Sequence, residues 1–146
     1  MDIVRTVTVS QPVDVVFGYL SDFTTTTEWD PGTVRTERVS GDGGVGTRYR
    51  NTSSFLGRET ELDYVVTDLE PGRTIALRGE NATVVANDTM TFAESTGQDG
   101  PGTTVTYHAA FELKGLARYV APLLAPAFRK LGDEAEKGLR SALTAL

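Results

Sequence analysis

The sequence contains no cysteine and only one histidine among its 146 residues. Without thiols the chain forms no disulfide, no thiolate nucleophile, no iron–sulfur cluster and no cysteine-based zinc site. Zinc and iron sites built from other ligands need clustered histidines, so we expect neither a metal nor a cofactor. The lone His108 has no Gly-x-Ser-x-Gly elbow to accompany it, which argues against a hydrolase of the Ser–His–carboxylate type.

Long apolar runs and an excess of basic residues are also missing. No stretch approaches 18 consecutive apolar residues, so the sequence predicts no integral membrane segment. Residues 1–9 alternate polar and apolar side chains and lack the regions of a signal peptide, which predicts a cytoplasmic protein. The 14 Lys and Arg are outnumbered by 20 Asp and Glu, giving a net charge of −6. An acidic surface argues against nucleic acid as a partner, and the oligomeric state, monomer or homodimer, stays open.

Polar and apolar residues alternate with a period of two in seven segments, which predicts seven strands. The segments are residues 3–9, 33–40, 47–56, 58–69, 74–79, 83–93 and 103–113. Two short helices follow the first strand, one carrying Val13, Val16, Phe17 and Leu20 and one within residues 22–30. The polar, glycine-containing residues 94–102 are expected to form a loop.

The last 30 residues change to a helical period. Apolar residues from Leu116 to Leu146 recur every 3.6 positions, with Leu131 at the centre of the stripe. Pro122 and Pro126 predict a kink or a broken first section, because each removes a backbone hydrogen bond.

Short turns between successive strands predict antiparallel pairing. The whole chain, residues 1–146, is therefore predicted to be a single α+β domain. In it a curved seven-stranded antiparallel sheet wraps round the C-terminal helix and leaves a hollow between them.

Local sequence pieces occur in the order found in one known superfamily. They are Trp29-Asp30-Pro31, Gly46-Thr47-Arg48-Tyr49, Gly115 and residues 7–17, 66–73 and 102–107. On these pieces the chain resembles the START-like superfamily called SRPBCC, in particular its polyketide cyclase/dehydrase branch. The resemblance implies a helix-grip fold with a hydrophobic cavity that binds lipids, sterols, plant hormones or polyketides. Some members catalyse cyclisation or dehydration, but the family has no universal catalytic motif, so no catalytic residue is carried over.

Polar and aromatic side chains share one face of the third predicted strand. Tyr49, Asn51, Ser53 and Phe55 alternate there, whereas a closed core would favour Val, Ile and Leu. A cavity holding ligand or water would supply the missing partners; alternatively, the strand faces outward or the polar tips pair internally. The predicted ligand-binding residues are Phe23, Trp29, Tyr49, Asn51, Ser53, Phe55, Leu62, Tyr64, Leu77, Asp88, Met90, Phe92, Tyr107, Phe111, Leu123 and Leu124.

Asp88 is the sharpest single candidate, because it lies mid-strand on the apolar face with Ala86 and Met90. A buried carboxylate must pair with a cation, such as Arg5 or Arg78, or take up a proton. A bulge would instead place it in solvent. Asp88 and Tyr49 are the candidate acid–base groups, while His108 is expected to point away from the helix.

Three functions follow as hypotheses. The first is binding of a small hydrophobic, lipid- or polyketide-like molecule in a cavity of roughly 300–1,000 Å³. The second is a polyketide cyclase or dehydratase that moves a proton through Asp88 or Tyr49. The third is a protein-interaction module that uses the terminal helix, because residues 114–146 carry six basic and three acidic residues.

Overall fold

The computed structural model describes residues 1–97 and 100–146. Its strands are β1 (Asp2–Val9), β2 (Thr33–Ser40), β3 (Arg48–Phe55), β4 (Arg58–Glu70), β5 (Thr74–Glu80), β6 (Val84–Gly97) and β7 (Gly100–Leu113). Helices α1 (Val13–Leu20) and α2 (Thr26–Trp29) lie between β1 and β2, with one 3₁₀ turn at Phe23–Thr25 before α2. A second 3₁₀ turn at Gly115–Tyr119 precedes the long helix α3 (Ala121–Thr144).

All seven strands form one curved antiparallel sheet in the order β1-β7-β6-β5-β4-β3-β2. Strands that follow one another along the chain pair directly, except that β1 pairs with β7. The α+β helix-grip prediction, with two short helices after the first strand, is therefore confirmed.

The predicted loop at residues 94–102 is wrong in its described part. β6 and β7 stay paired through Glu94 and Thr103 up to Gly97 and Gly100. The backbone N–H and C=O groups of these residues pair across the two strands, so the segment forms a strand although its side chains are mostly polar. Residues 98–99, which the predicted loop also included, lie outside the described residues.

The first section of the predicted terminal helix is broken, as expected from Pro122, but the helix continues through Pro126. Gly115–Tyr119 forms a separate 3₁₀ turn, and α3 begins at Ala121 with Pro122 in its first turn. Pro is tolerated there because the first backbone N–H groups of a helix have no partner. Pro126 lies inside the helix.

Alternation along β1 fixes which residues enter the core. Ile3, Val7 and Val9 are buried, whereas their neighbours Val4 and Thr6 are exposed. This alternation of buried and exposed residues is expected of a strand that packs against the core on one side only.

Arg5 shares the buried face of β1 but does not enter the core. Its guanidinium extends to α3, where it donates to the Asp133 carboxylate at 2.9 Å and to the Arg129 carbonyl at 3.2 Å. The edge strand and the terminal helix are thereby linked.

Two groups of buried apolar side chains fill the space between sheet and helices. The larger group includes Leu139 and Leu143 of α3, both fully buried. The smaller group is Ile3, Ala109 and Phe128, and the half-buried Leu131 packs against it.

Candidate ligand-binding site

A cavity of about 230 Å³ lies between the sheet and α3. Residues of both apolar groups line it, together with the end of α2 and the segment that follows it. The cavity is smaller than the 300–1,000 Å³ expected from the sequence. It is nevertheless large enough for a molecule well beyond water, whose share of liquid volume is about 30 Å³.

Asp88 lies on the inner face of β6 and is only 7 % exposed. Ala86 and Met90, two residues away on either side, are also buried. The inward orientation predicted from the alternation is therefore correct, and the alternative bulge does not occur.

Neither predicted arginine pairs with Asp88. Arg5 contacts Asp133 of α3, and Arg78 contacts Glu80 on its own strand. Asp88 lines the cavity, and the Oδ1 atom of its carboxyl is buried without a hydrogen-bond partner among the described residues.

Burial and the negative charge of Asp30 raise the pKa of Asp88 to about 7, and the Tyr64 hydroxyl partly offsets this rise. Burial also raises the pKa of Tyr64 and Tyr107 well above the ordinary tyrosine value, and the charge of Asp88 adds to the effect. Both hydroxyls therefore stay protonated. A carboxyl whose pKa lies near neutrality can both give and take a proton, as a general acid or base must.

Asp30 is a second carboxyl group on the cavity wall, and it is not among the residues predicted from the sequence. It ends α2, where its side chain accepts hydrogen bonds from Gly32 N at 3.0 Å and Thr33 Oγ1 at 3.1 Å. Burial raises its pKa, the two hydrogen bonds oppose the rise, and the charge of Glu134 adds to it. The feature of the sequence that could have identified Asp30 as a wall residue is its position directly after Trp29.

Trp29 belongs both to the core and to the cavity wall. It is 2 % exposed, and its ring meets that of Tyr107 edge-on at 5.7 Å between centroids. Its indole Nε1 is buried without a hydrogen-bond partner among the described residues. Core packing and ligand contact, the two alternatives for this residue, are therefore compatible.

The polar residues of β3 are paired internally while they line the cavity. Ser53 Oγ lies 2.6 Å from Asn51 Oδ1, and Asn51 Nδ2 donates to Thr36 Oγ1 at 2.9 Å. Thr36 Oγ1 lies 2.7 Å from Thr26 Oγ1 of α2. The internal-pairing alternative is therefore correct for Asn51, and this wall is a fixed polar surface.

Most of the predicted ligand-binding residues meet at the cavity. Those that line it are Phe23, Trp29, Asn51, Ser53, Phe55, Leu62, Tyr64, Asp88, Tyr107, Phe111 and Leu124.

Tyr49, Leu77, Met90 and Phe92 face inward but do not reach the cavity, which corrects the prediction for them. Instead they are buried in the larger apolar group. At that end of the sheet α1 fills the space, as the edge-on contact between Phe17 and Phe92 at 5.0 Å shows. Tyr49, the second acid–base candidate, packs against Phe23 at 5.6 Å.

Leu123 was also predicted to bind the ligand, and this prediction is wrong. The residue lies on the first turn of α3 and is 79 % exposed. Leu116, Tyr119 and Val120 of the preceding turn are exposed as well. The apolar stripe therefore continues past the part of the helix that packs on the sheet.

Sequence reasoning missed several apolar wall residues. They include Ile3, Val84, Leu113, Phe128, Leu131 and Ala135. Three of them could have been predicted from their spacing. Phe128, Leu131 and Ala135 follow Leu124 at helical intervals and so lie on the same face of the helix.

His108 lies away from the cavity, as predicted. Its Nε2 is 3.4 Å from the Asp2 carboxylate, and its side chain is half exposed. Within residues 1–97 and 100–146, no three His, Asp or Glu side chains are grouped to hold a metal ion. In the same ranges no helix has the length and apolar character needed to cross a membrane.

A family model described as polyketide cyclase/dehydrase and lipid transport matches residues 1–144. The chain belongs to this family. The resemblance read from its sequence motifs is thereby confirmed. A search of curated proteins found no match.

Solved structures similar to this polyketide cyclase/dehydrase family protein share its fold at low identity. A protein from Thermus thermophilus is 15 % identical, has a TM-score of 0.81 and matches 99 % of this chain and 98 % of its own. The Zhui aromatase/cyclase from Streptomyces sp. R1128 is 17 % identical, with a TM-score of 0.72 and coverage of 97 % and 92 %. A START superfamily protein from Mycobacterium smegmatis is 17 % identical, with a TM-score of 0.72 and coverage of 99 % and 94 %.

The family assignment gives the fold, and the side chains that face the cavity decide what it holds. In this family member those side chains are mainly aromatic and aliphatic, with two carboxyl groups among them.

Proposed function

We propose that this protein binds a small hydrophobic molecule in the cavity between the sheet and α3. The observation that carries the proposal is a cavity of about 230 Å³ with mainly apolar walls. Ligand sites are concave and mostly apolar, with a few polar groups that fix orientation. Asp30 and Asp88 are such groups here.

The volume sets the size of the ligand. An apolar cavity of about 150 Å³ holds benzene, so about 230 Å³ suits a compact molecule of one or two fused rings. Aromatic rings from Phe23, Trp29, Phe111 and Phe128 form much of the wall. A compact polyketide-like ring system fits such walls better than the full length of a lipid chain. The Streptomyces aromatase/cyclase among the similar structures supports this choice.

Naphthalene is a suitable probe, and Trp29 provides the signal because it is the only tryptophan in the chain. Its indole N–H gives a single resonance in a ¹H–¹⁵N NMR spectrum. We expect that resonance to shift on titration with naphthalene and to saturate at one molecule per chain.

Two filled-cavity variants make the test specific. Val84→Phe and Ala135→Leu each add volume to a wall residue and should weaken naphthalene binding at least tenfold. Met90→Leu, a change of similar volume in the packed core outside the cavity, should leave binding unchanged. Equal binding by the filled variants would place the ligand elsewhere and overturn the proposal.

Proton transfer to or from the bound molecule is a second candidate function. The observation favouring it is the Asp88 carboxyl on the cavity wall, with a pKa of about 7. As a base, Asp88 would remove a proton from the carbon next to a ligand carbonyl and leave an enolate. The protonated Tyr64 and Tyr107 are donors beside it.

The ketone 2-tetralone has the size of naphthalene and an exchangeable carbon-bound proton. In deuterated buffer we expect the protein to accelerate deuterium uptake, measured by mass spectrometry, at least tenfold over buffer alone. Asp88→Asn should abolish the acceleration, whereas His108→Asn, which lies outside the cavity, should retain it. Deuterium uptake at the rate seen in buffer alone would show that the protein does not catalyse this proton transfer. The proposed binding function would be unaffected by that result.

A further inference from the structure

Two residues of the cavity wall each carry a buried polar atom that has no hydrogen-bond partner among the described residues. The two atoms are the donor Nε1 of Trp29 and the acceptor Oδ1 of Asp88. Buried polar groups are almost always hydrogen-bonded, and each exception needs an explanation. The other two such atoms among the described residues belong to Gln11 and His108, which do not line the cavity. An unpaired donor and an unpaired acceptor therefore belong to two residues that line the same cavity.

Charge restricts what can pair with them. Two carboxyl groups, Asp30 and Asp88, line the cavity, whereas no lysine, arginine or histidine of the described residues does so. A ligand carboxylate or phosphate would lie in an apolar space beside like charge and would lack a counterion, which is costly. Anionic ligands such as fatty acids are therefore disfavoured.

The hydrogen-bonding pattern separates the remaining ligand types. An ether or ketone oxygen accepts from Trp29 but has no proton to donate to the ionised Asp88 carboxylate. An ammonium group donates to Asp88 but leaves the indole N–H without an acceptor. A hydroxyl group has both a proton and lone pairs, so it matches both atoms.

We propose that the cavity selects a neutral, hydroxylated ring compound, with hydroxyl oxygen accepting from Trp29 Nε1 and a hydroxyl proton donated to Asp88. This inference rests on the proposed binding function and adds the chemical class of the ligand. Tyr107, whose ring packs on Trp29, helps to fix the orientation of the indole.

A matched set of naphthalene derivatives tests the inference on the wild-type protein, so that the first result does not depend on any variant folding. The probes are naphthalene, 2-naphthol, 2-methoxynaphthalene, 2-naphthoate and 2-naphthylmethylamine. Dissociation constants come from the shift of the Trp29 indole N–H resonance at one pH near neutrality.

We expect 2-naphthol to bind about tenfold tighter than naphthalene, since one or two hydrogen bonds are gained. The methoxy compound should bind more weakly than 2-naphthol, and 2-naphthoate should be the weakest of the set. Equal affinities for 2-naphthol and naphthalene would overturn the inference while leaving the binding function intact. The tightest binding by the amine or the carboxylate would overturn it as well. Failure of all five compounds to bind would refute the binding function itself.

Variants locate the effect. Asp88→Leu should bring the affinity for 2-naphthol to within about twofold of that for naphthalene, with both probes compared in the same variant. Trp29→Phe, followed by calorimetry because the indole signal is lost, should reduce the same preference. Met90→Leu, buried on the same face of β6 but outside the cavity, should keep the preference. Retention of the full preference in both Asp88→Leu and Trp29→Phe would show that these two groups do not select the ligand.

Discussion

Gly138 of α3 lies directly against the backbone of Trp29. A Cβ atom at position 138 would overlap the Trp29 carbonyl oxygen, so no other residue fits without displacing one helix from the other. This close approach holds the end of α2 against α3. It thereby places the Trp29 indole on the wall of the cavity.

Gly138→Ala should destabilise the protein by about 1–3 kcal/mol, although alanine is the better helix former, because the new methyl group meets backbone that cannot rotate away. Gly18→Ala is the matched control, since a Cβ there meets nothing within 4 Å in α1. That change should stabilise by about 0.5–1 kcal/mol. Urea denaturation measures both, and equal effects would show that the contact with Trp29 yields easily.

The stability of the protein should fall as the pH rises from about 4 to 7. The pKa of Asp88 is about 7 in the folded protein against an ordinary value of 3.8, so only the folded state holds this proton between those values. Raising the pH removes that advantage, by at most about 4 kcal/mol, and the loss levels off above pH 7. The raised pKa of Asp30 acts in the same direction.

The measurement is urea denaturation at several pH values. Relative to wild type, Asp88→Asn should gain stability steadily between pH 4 and 7, because it never carries the buried charge. Asp68→Asn, on an exposed position of β4, should run parallel to wild type. A parallel profile for Asp88→Asn would refute the assignment of the pKa.

Tyr64 depends on Gly79, its neighbour across β4 and β5. The Tyr64 ring covers Gly79 so closely that a Cβ there would come within 2.6 Å of it. Gly79→Ala should therefore displace the ring, cost about 1–3 kcal/mol and raise the pKa of Asp88 further, because the offsetting hydroxyl moves away.

The comparison variant is Tyr64→Phe, which removes the hydroxyl and leaves the ring in place. It should also raise the pKa of Asp88, as followed by ¹³C NMR of the carboxyl group. An unchanged Asp88 titration in both variants would show that Tyr64 has no influence on it.

The loss of stability on truncating a leucine of α3 should depend on how deeply that side chain is buried, not on its position in the apolar stripe. Leu139→Ala removes a fully buried side chain and should cost about 2–5 kcal/mol. Leu131→Ala should cost less, since Leu131 is half-buried and borders an existing cavity, but it should permit larger ligands. Leu123→Ala, at a site 79 % exposed, should stay within about 0.5 kcal/mol of wild type. Thermal melts rank the three, and a loss at Leu123 as large as that at Leu139 would contradict the packing of α3.

Several features could be predicted from the sequence because they depend on local periodicity. The two-residue period in β6 places Asp88 on the same face as Ala86 and Met90, whatever the strand packs against. Short turns between strands require antiparallel neighbours, and Pro122 suits the first turn of α3, where the helix begins. The order of these elements, with the motifs around Trp29, also identifies the family.

Tertiary structure alone decided which inward residues reach the cavity. Asp88 and Phe92 share one face of β6, yet Asp88 lines the cavity and Phe92 lies beneath α1, because the path of that helix determines where space remains. Asp30 and Asp88 lie close together in the fold but far apart in the chain. No periodic pattern in the sequence can therefore predict that they approach each other. A cavity is the volume left after every side chain has packed, so its position and size depend on all helices and strands together. A periodic pattern in the sequence shows only which face of one helix or strand a residue lies on.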